Sequence, residues 1–545
     1  MDLATENRDY HVAKTGYRLQ VPGDFNFAVD VIDRRAAEAD GTAVIAVSRD
    51  GENIRELPYS HFSEQSSRLA NALLSLGVGK GDFGALVIGR IPEWYTVLFA
   101  CMKIGAISMP GTNLLTAKDI AYRVQASKAR FIVVTPEHCA KFEEVRRLCP
   151  TVEHCIVVGG SYPGWLSFDD LVRNAPPDFA NANAPATKAD DMMMAYFTSG
   201  TTSLPKMVPR DFAYALAHAA TALFWMDLRA GEVHWTLTDT GWAKAAWGLL
   251  FPPLLAGAKV VLYDGEGAFD PVFHLRLLEK LRVSTFCAPP TVYRLFAQQD
   301  LSSYDFSALR RSLGAGEPLN PEVIRYWQKH TGNVIADGYG QTETINIVGN
   351  YPGVEVRYGS MGLPVPGFDI DIVDEDGNRL PAGEVGHIAV ATNGADWPPG
   401  LFRGYFTSGG TLDTAAFRNG WYYTGDTARR DADGYFWFEG RADDLISSGA
   451  YRISPFEVES ALLEHPEVVE SAVIGIPDEM RGQIVKAFII LKDPARASDA
   501  LATEIQEFCK QLTAPYKYPR RIEFVTSLPK TISGKIRRVE LRERS

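Results

Sequence analysis

The sequence predicts an α/β protein. A large N-terminal domain of layered α/β subdomains carries an added β subdomain, and a small α+β C-terminal domain follows. Three observations carry this reading. Over the first two thirds, short apolar runs alternate with amphipathic stretches of helical spacing. After about Gly353 the strand-like pieces become short and turn-rich. From Asp443 onward a helix, two strands and a second helix can be read over roughly 100 residues, an ordinary domain size.

Taken in order, buried strands are expected at 85–88, 131–134, 155–158, 192–197, 260–263, 285–288 and 333–336, and helices at 63–76 and 92–104. The β subdomain is expected from strands at 369–373, 385–391 and 435–439, with a hairpin turn at Asp374-Glu375-Asp376-Gly377-Asn378. The last domain should hold helices at 455–463 and 500–512 around strands at 469–476 and 485–491. The domains are therefore placed at 1–442 and 443–545.

Composition narrows the function classes. The chain has 545 residues, 46% of them hydrophobic and 22% charged, so it can build more than one core. A net charge of −12 argues against a general nucleic-acid binder. Residues 515–545 run the other way, with nine Lys/Arg against three Glu, which suits a small polyanionic ligand. Six scattered cysteines without a C-x-x-C pair fit free thiols in a reducing compartment. His138, Cys139, Cys149, His154 and Cys155 lie close in sequence but match no common zinc spacing. Residues 1–11 are polar and unlike a signal peptide, and no apolar run reaches the roughly 20 residues of a membrane span. A cytoplasmic location with no membrane span is expected. Self-association into a homo-oligomer is left open.

The densest chemical signal is Thr198-Ser199-Gly200-Thr201-Thr202-Ser203-Leu204-Pro205-Lys206, directly after an apolar run. Hydroxyls, backbone N–H groups and one lysine can cradle phosphate oxygens. It is not a Walker A loop, because Pro205 and Met207 flank the lysine. Further along come Gly314-Ala315-Gly316-Glu317-Pro318, then Asp337-Gly338-Tyr339-Gly340-Gln341-Thr342-Glu343, in which the tyrosine can stack on a base and Glu343 can hold Mg²⁺. Tyr423-Thr424-Gly425-Asp426 sets an acid where it can accept from ribose hydroxyls, and Arg441-Ala442-Asp443-Asp444 sits at the domain border. Pro529-Lys530-Thr531-Ile532-Ser533-Gly534-Lys535 places a lysine on a turn near the C-terminus. Four of the ten tryptophans, Trp225, Trp235, Trp242 and Trp247, fall within 23 residues and suggest an apolar slot.

In order and content these segments closely resemble the adenylate-forming superfamily of acyl-CoA synthetases, luciferases and peptide-synthetase adenylation domains. The resemblance spans about residues 25–540. Asp239-Thr240-Gly241-Trp242-Ala243-Lys244, the stretch from Tyr451 to Glu459, and Arg481 to Phe488 look like the medium-chain acyl-CoA synthetase branch.

The resemblance implies an AMP-forming acid:CoA ligase that uses ATP, Mg²⁺ and coenzyme A on a medium-chain, branched or aromatic carboxylic acid. The alternative is an adenylation enzyme loading a carrier-protein pantetheine. A nucleotide sensor or a luciferase-like oxygenase is a third reading. Lys535, Thr202 and Glu343 are implied as catalytic, with Glu343 and Thr202 toward the metal. Thr198, Ser199, Gly200, Thr201, Thr202, Lys206, Gly316, Glu317, Pro318, Asp337 to Thr342, Asp426, Arg441, Arg452 and Lys535 would bind ATP. Trp242, Gly340 and Thr342 would line the acyl group. Gly449, Ala450, Tyr451, Arg452, Arg481, Lys517, Arg520 and Arg521 would face CoA, and Asp443 would be a hinge. Ser203 and Ala450 depart from the usual glycine and serine-glycine of their motifs, the latter adding a methyl group where pantetheine should pass.

Overall fold

A computed structural model describes residues 3, 6–179, 186–198, 205–265, 267–316, 321–394, 397–448, 451–513, 516–531 and 535–545, leaving aside the side chains of 451 and 452. The chain divides into two compact units. One comprises 1–198, 207–368 and 394–415; the other comprises 199–206, 369–393 and 416–545.

The first unit is built on two nine-stranded sheets. In one, Phe83–Val87 lies between Ile107–Pro110 and Phe131–Val134, all parallel, and His154–Val157 extends the row. In the other, Val233–Thr236, Lys259–Tyr263, Thr285–Ala288, Arg311–Ala315 and Ile335–Gly340 run parallel, and antiparallel strands close both edges. Phe131–Val134 and Thr285–Ala288 are buried along their whole length, which is why they read as unbroken apolar runs. Several helices start on proline at the first turn: Pro136–Val145, Pro271–Lys280 and Pro290–Phe296. Proline lacks only an N–H that the first turn leaves unbonded anyway, so it starts these helices close behind their strands. The second sheet packs against a core holding Trp235, Phe286, Tyr293, Phe296 and Trp327.

The second unit holds two five-stranded sheets. Ile370–Val373, Val385–Ala391, Trp421–Arg430 and Phe436–Arg441 form an antiparallel array. The expected turn is there, with the Asp374 N–H donating to Asn378 C=O at 3.0 Å. Val468–Asp478 and Gly482–Leu491 make one long hairpin, and Arg521–Phe524 joins it in parallel. Helices Pro455–Leu463 and Asp499–Leu512 pack on the apolar cluster around Val473 and Ile489.

The expected strands and helices are found within a few residues of their predicted ends. Three of the candidate motifs lie partly in strands. Gly338 and Gly340 lie in Ile335–Gly340, Thr424 to Asp426 in Trp421–Arg430, and Gly440 and Arg441 in Phe436–Arg441. Gly338 and Gly340 serve packing within their sheet. Among the described residues no helix is long and apolar enough to cross a membrane. Cys139, Cys149 and Cys155 are buried in the core of the first sheet.

Candidate active site

Parallel strands Arg311–Ala315 and Ile335–Gly340 stand side by side, Gly314 beside Asp337 and Ala315 beside Gly338. Their carboxyl ends coincide, the place where open α/β sheets collect ligands. Gly316 leaves the first strand at φ +107°, open to glycine and strained for other residues. Glu317 and Pro318 lie outside the described residues.

On the second strand, a Cβ added to Gly338 would stand 2.4 Å from the Trp225 ring. One added to Gly340 would stand 2.4 Å from the Trp247 ring and 2.3 Å from the Ile345 carbonyl oxygen. Both tryptophans are buried. Packing against the two tryptophans already requires glycine at both positions. Beyond, the Gln341 N–H donates to Thr344 Oγ1 at 2.9 Å, closing a tight turn around Thr342 and Glu343.

The carboxyl of half-buried Asp337 accepts the Gly338 N–H at 2.9 Å. Burial pushes it up to about 8, against the opposing pull of that N–H and of Lys244. Lys244 Nζ donates to Ala315 C=O at 3.0 Å, so one ammonium ties the neighbouring strand end to the Asp337 site.

Glu343 is buried. Its Oε1 accepts the Tyr405 hydroxyl at 2.8 Å, and its carbonyl accepts Arg210 Nη1 at 2.8 Å. Arg210 is buried too, donates to Gly400 C=O, and lies 3.7 Å over the Tyr214 ring. A buried carboxylate in such a seat suits a hard cation that keeps most of its ligands from phosphate and water.

The two sheets of this unit meet through short loops. Thr112 Oγ1 donates to Asp239 Oδ2 at 2.9 Å, and Thr240 Oγ1 donates to Ile88 C=O at 2.8 Å. A Cβ on Gly241 would stand 2.0 Å from the Thr112 nitrogen, so only glycine lets the Asp239–Lys244 stretch cross there. Trp242, next in sequence, is half-buried. Met192–Phe197 is a strand as expected, paired antiparallel with Met207–Asp211. Thr198 is half-buried and Lys206 exposed, while Ser199, Gly200, Thr201, Thr202 and Ser203 fall outside the described residues.

In the second unit, Asp426 and Arg441 are cross-strand partners, with Nη1 3.3 Å from Oδ1. Gly425, at φ +75°, leaves the room the guanidinium fills. Arg441 Nε also stands 3.6 Å from Asp443, tying the ribose candidates to the predicted hinge. Tyr451 and Arg452 begin the return strand opposite Ser448 and Ser447, and Gly449 and Ala450 lie outside the described residues. Arg481 and Arg521 are exposed, and Arg520 lies 5.0 Å over the Tyr518 ring. Lys517 is not a free cation: its ammonium holds both Glu457 oxygens at 2.6 Å. Lys535 is exposed.

The sequence family described as AMP-binding enzyme matches residues 32–406, and the AMP-binding enzyme C-terminal domain matches 457–535. The chain belongs to the AMP-binding enzyme family. Among its relatives, the mitochondrial acyl-coenzyme A synthetase ACSM3 of Mus musculus is 41% identical over 98% of this chain and 93% of that protein. Mitochondrial ACSM4 of Rattus norvegicus is 43% identical over 96% and 91%. Of solved structures, the anthranilate CoA ligase AuaEII with anthranoyl-AMP aligns at TM-score 0.86 and 34% identity over 96% of this chain and 98% of that one. A benzoate CoA ligase from Burkholderia xenovorans LB400 aligns at 0.80 and 29% over 95% and 100%.

These matches bear out the fold class, the resemblance to acyl-CoA synthetases and the expectation of an acid:CoA ligase using ATP and CoA. They do not favour the carrier-loading alternative. The cytoplasmic expectation is corrected: the relatives are mitochondrial enzymes. The polar residues 1–11 bear only on an apolar secretory signal, not on a mitochondrial location.

Sequence reasoning missed Arg210 and Tyr405 as the seat of Glu343. Neither lies in a recognisable motif, and they are 195 positions apart in sequence. Lys244 was visible only as part of a branch-like stretch.

Proposed function

We propose that this AMP-binding enzyme joins a medium-chain, branched or aromatic carboxylic acid to CoA through an acyl-adenylate, releasing pyrophosphate and AMP. The observation that carries the reading is the meeting of Gly316, Asp337–Gly340, Trp247 and the seated Glu343 at one set of strand ends, in a chain 34% identical to a ligase holding an aromatic acyl-adenylate.

The acid's carboxylate attacks the α-phosphorus of ATP, and both reactants are anions. Cations and oriented donors must offset their repulsion as the transition state forms. Lys206 and the hydroxyls of Thr198, Ser199, Thr201 and Thr202 would hold the outer phosphates. Tyr339, Gly316 and Asp337 would frame the adenine. Asp426 and Arg441 would take the ribose hydroxyls as a preformed pair. Lys535 would meet the carboxylate and α-phosphate. Mg²⁺, when bound, would neutralise phosphate charge, and Glu343 with Thr202 is the fitting donor set on this chain. Positioning of this kind lowers the barrier without a covalent enzyme intermediate.

In the second step the CoA thiol attacks the acyl carbonyl and AMP leaves. We assign Asp443 as the hinge between 1–442 and 443–545 that exchanges Lys535 for the segment from Gly449 to Arg452. Arg481, Arg520 and Arg521 would meet the CoA phosphates; Lys517 would have to leave Glu457 first. Trp242, Gly340 and Thr342, with Trp247 behind them, would bound the acyl slot. An apolar slot of this kind separates acids by only about 1–3 kcal/mol per methylene, so a broad acid range is expected. The location we adopt is that of the relatives, the mitochondrion.

The test is acid-dependent exchange of labelled pyrophosphate into ATP across hexanoate, 2-methylbutyrate, benzoate and anthranilate, then thioester formation with CoA against a pantetheinylated carrier protein. Exchange with one of these acids and transfer to free CoA are expected. No exchange with any of them would end the proposal, and transfer to the carrier alone would restore the alternative.

A further inference from the structure

We propose that Arg538 is a positioning residue, coupling the segment beside Asp443 to the hairpin that carries Lys535. The inference rests on Lys535 being the adenylation lysine.

The hairpin is closed by its own backbone. Lys530 and Ile536 form a bridge, the Arg537 N–H donates to Pro529 C=O at 2.9 Å, and the Lys535 N–H donates to Thr531 Oγ1 at 3.1 Å. Nothing in these bonds fixes the hairpin to the rest of its domain, and the Lys535 side chain is exposed. The anchor is what flanks it. On one arm, Lys530 pairs with Glu470 at 2.7 Å. On the other, three residues after Lys535, Arg538 opens the final helix Arg538–Glu543 with only a fifth of its side chain exposed.

One guanidinium then joins three distant segments. Nε donates to Val473 C=O at 3.2 Å in the long hairpin strand. Nη2 donates to both Glu459 oxygens, at 2.7 and 2.8 Å, on the helix Pro455–Leu463. Nη1 stands 3.5 Å from Asp444 Oδ2, one residue past the proposed hinge, and Arg542 pairs with the same carboxylate. Glu459 is buried, and burial pushes its carboxyl up against the pull of Arg538. Removing the guanidinium would leave that acid buried without its cation. A planar fork of donors can serve three acceptors in fixed directions, which an ammonium cannot. Whatever angle the backbone takes at Asp443 is thus passed rigidly to the base of the lysine hairpin.

The experiment measures pyrophosphate exchange, and separately thioester formation from supplied acyl-adenylate, in wild type, R538Q, K535A and the double variant. R538Q should lower exchange by about 10- to 100-fold, the size expected for misplacing a reacting group. Thioester formation should change by less than about threefold, and R538Q should cost almost nothing further once Lys535 is gone, because it acts through that lysine. Equal losses in both half-reactions, or full additivity with K535A, would mean a merely structural role and overturn the proposal. If R538Q does not fold, D444N keeps the Glu459 bond and should give the same pattern at about 3- to 10-fold, and its absence would equally overturn it. Wild-type exchange in K535A would instead refute the lysine assignment on which the inference stands.

Discussion

At the end of the strand Ile335–Gly340 the backbone is pinned. Tryptophan rings fill the space over two glycines, and a buried arginine and a tyrosine hold Glu343 by its carbonyl and its carboxylate. At Lys535 the arrangement is reversed: the functional side chain is exposed on a small hairpin, and the order lies behind it, in the ion network of Arg538, Glu459 and Asp444. Under the proposed function, the first region would hold a nucleotide in one geometry, and the second would let a lysine be presented or withdrawn without disturbing the fold around it. On that reading, rigidity is placed at the reacting group where one ligand is held throughout, and behind it where the group serves only one of two steps.

The sharpest way to break this contrast is Lys535→Ala. Because the side chain supports no packing, the variant should melt like wild type. Pyrophosphate exchange should still fall by about 100- to 1,000-fold, as when a charge-stabilising donor is removed from a transition state. Thioester formation from supplied acyl-adenylate should be largely retained. A large loss of thermal stability would contradict the view of Lys535 as a free-standing group.

Next in size is Gly338→Ala, which attacks the pinned region. Its methyl group would meet the Trp225 ring, and overpacking of this kind costs about 1–3 kcal/mol. Trp225→Phe in the same chain should recover part of that loss, since a smaller ring opens the space the methyl needs. Denaturant midpoints of the two single variants and the double variant measure the coupling. Simple additivity would show that Trp225 is not what demands glycine there.

Much of this was legible in the sequence because buried parallel strands write themselves as apolar runs: Phe131–Val134 and Thr285–Ala288 were readable to the residue. The order of the motifs supplied the candidate site residues, whose roles belong to the proposed function. What could not be read were partnerships. Gly340 waits for Trp247 and for the Ile345 carbonyl, and Glu343 for Tyr405 and Arg210; no local pattern links such positions. Lys517 looked like a CoA cation because its Glu457 partner lies 60 residues upstream. Gly425 accommodates the Arg441 guanidinium from within a strand, and such a glycine leaves the same letters as one in a loop.

Tyr405→Phe probes the seat of Glu343 more gently. It removes one hydroxyl bond to a carboxylate, worth about 1.5–3 kcal/mol when the acceptor is charged, with no change of shape. Loosening Glu343 should raise the Mg²⁺ concentration needed for half-maximal exchange several-fold while leaving the rate at saturating Mg²⁺ close to wild type. An unchanged Mg²⁺ profile would mean that Tyr405 does not seat a metal-facing carboxylate.

A further test concerns Asp337, and its pH dependence separates burial from charge pairing. Burial holds its carboxyl at about 8 in the folded protein, above the ordinary 3.8. Between those values the unfolded chain has released a proton that the folded one retains. Unfolding therefore becomes easier as pH rises across this window, and the contribution levels off above about pH 8. Asp337→Asn removes the titration. Its stability relative to wild type should climb steadily from pH 4 to pH 8 and then stay flat, read as the difference in urea midpoints. A difference already flat from pH 4 to pH 8 would mean that Lys244, rather than burial, governs this carboxyl. The ammonium would then be a true ion-pair partner, and the strand end would be held by charge instead of by packing.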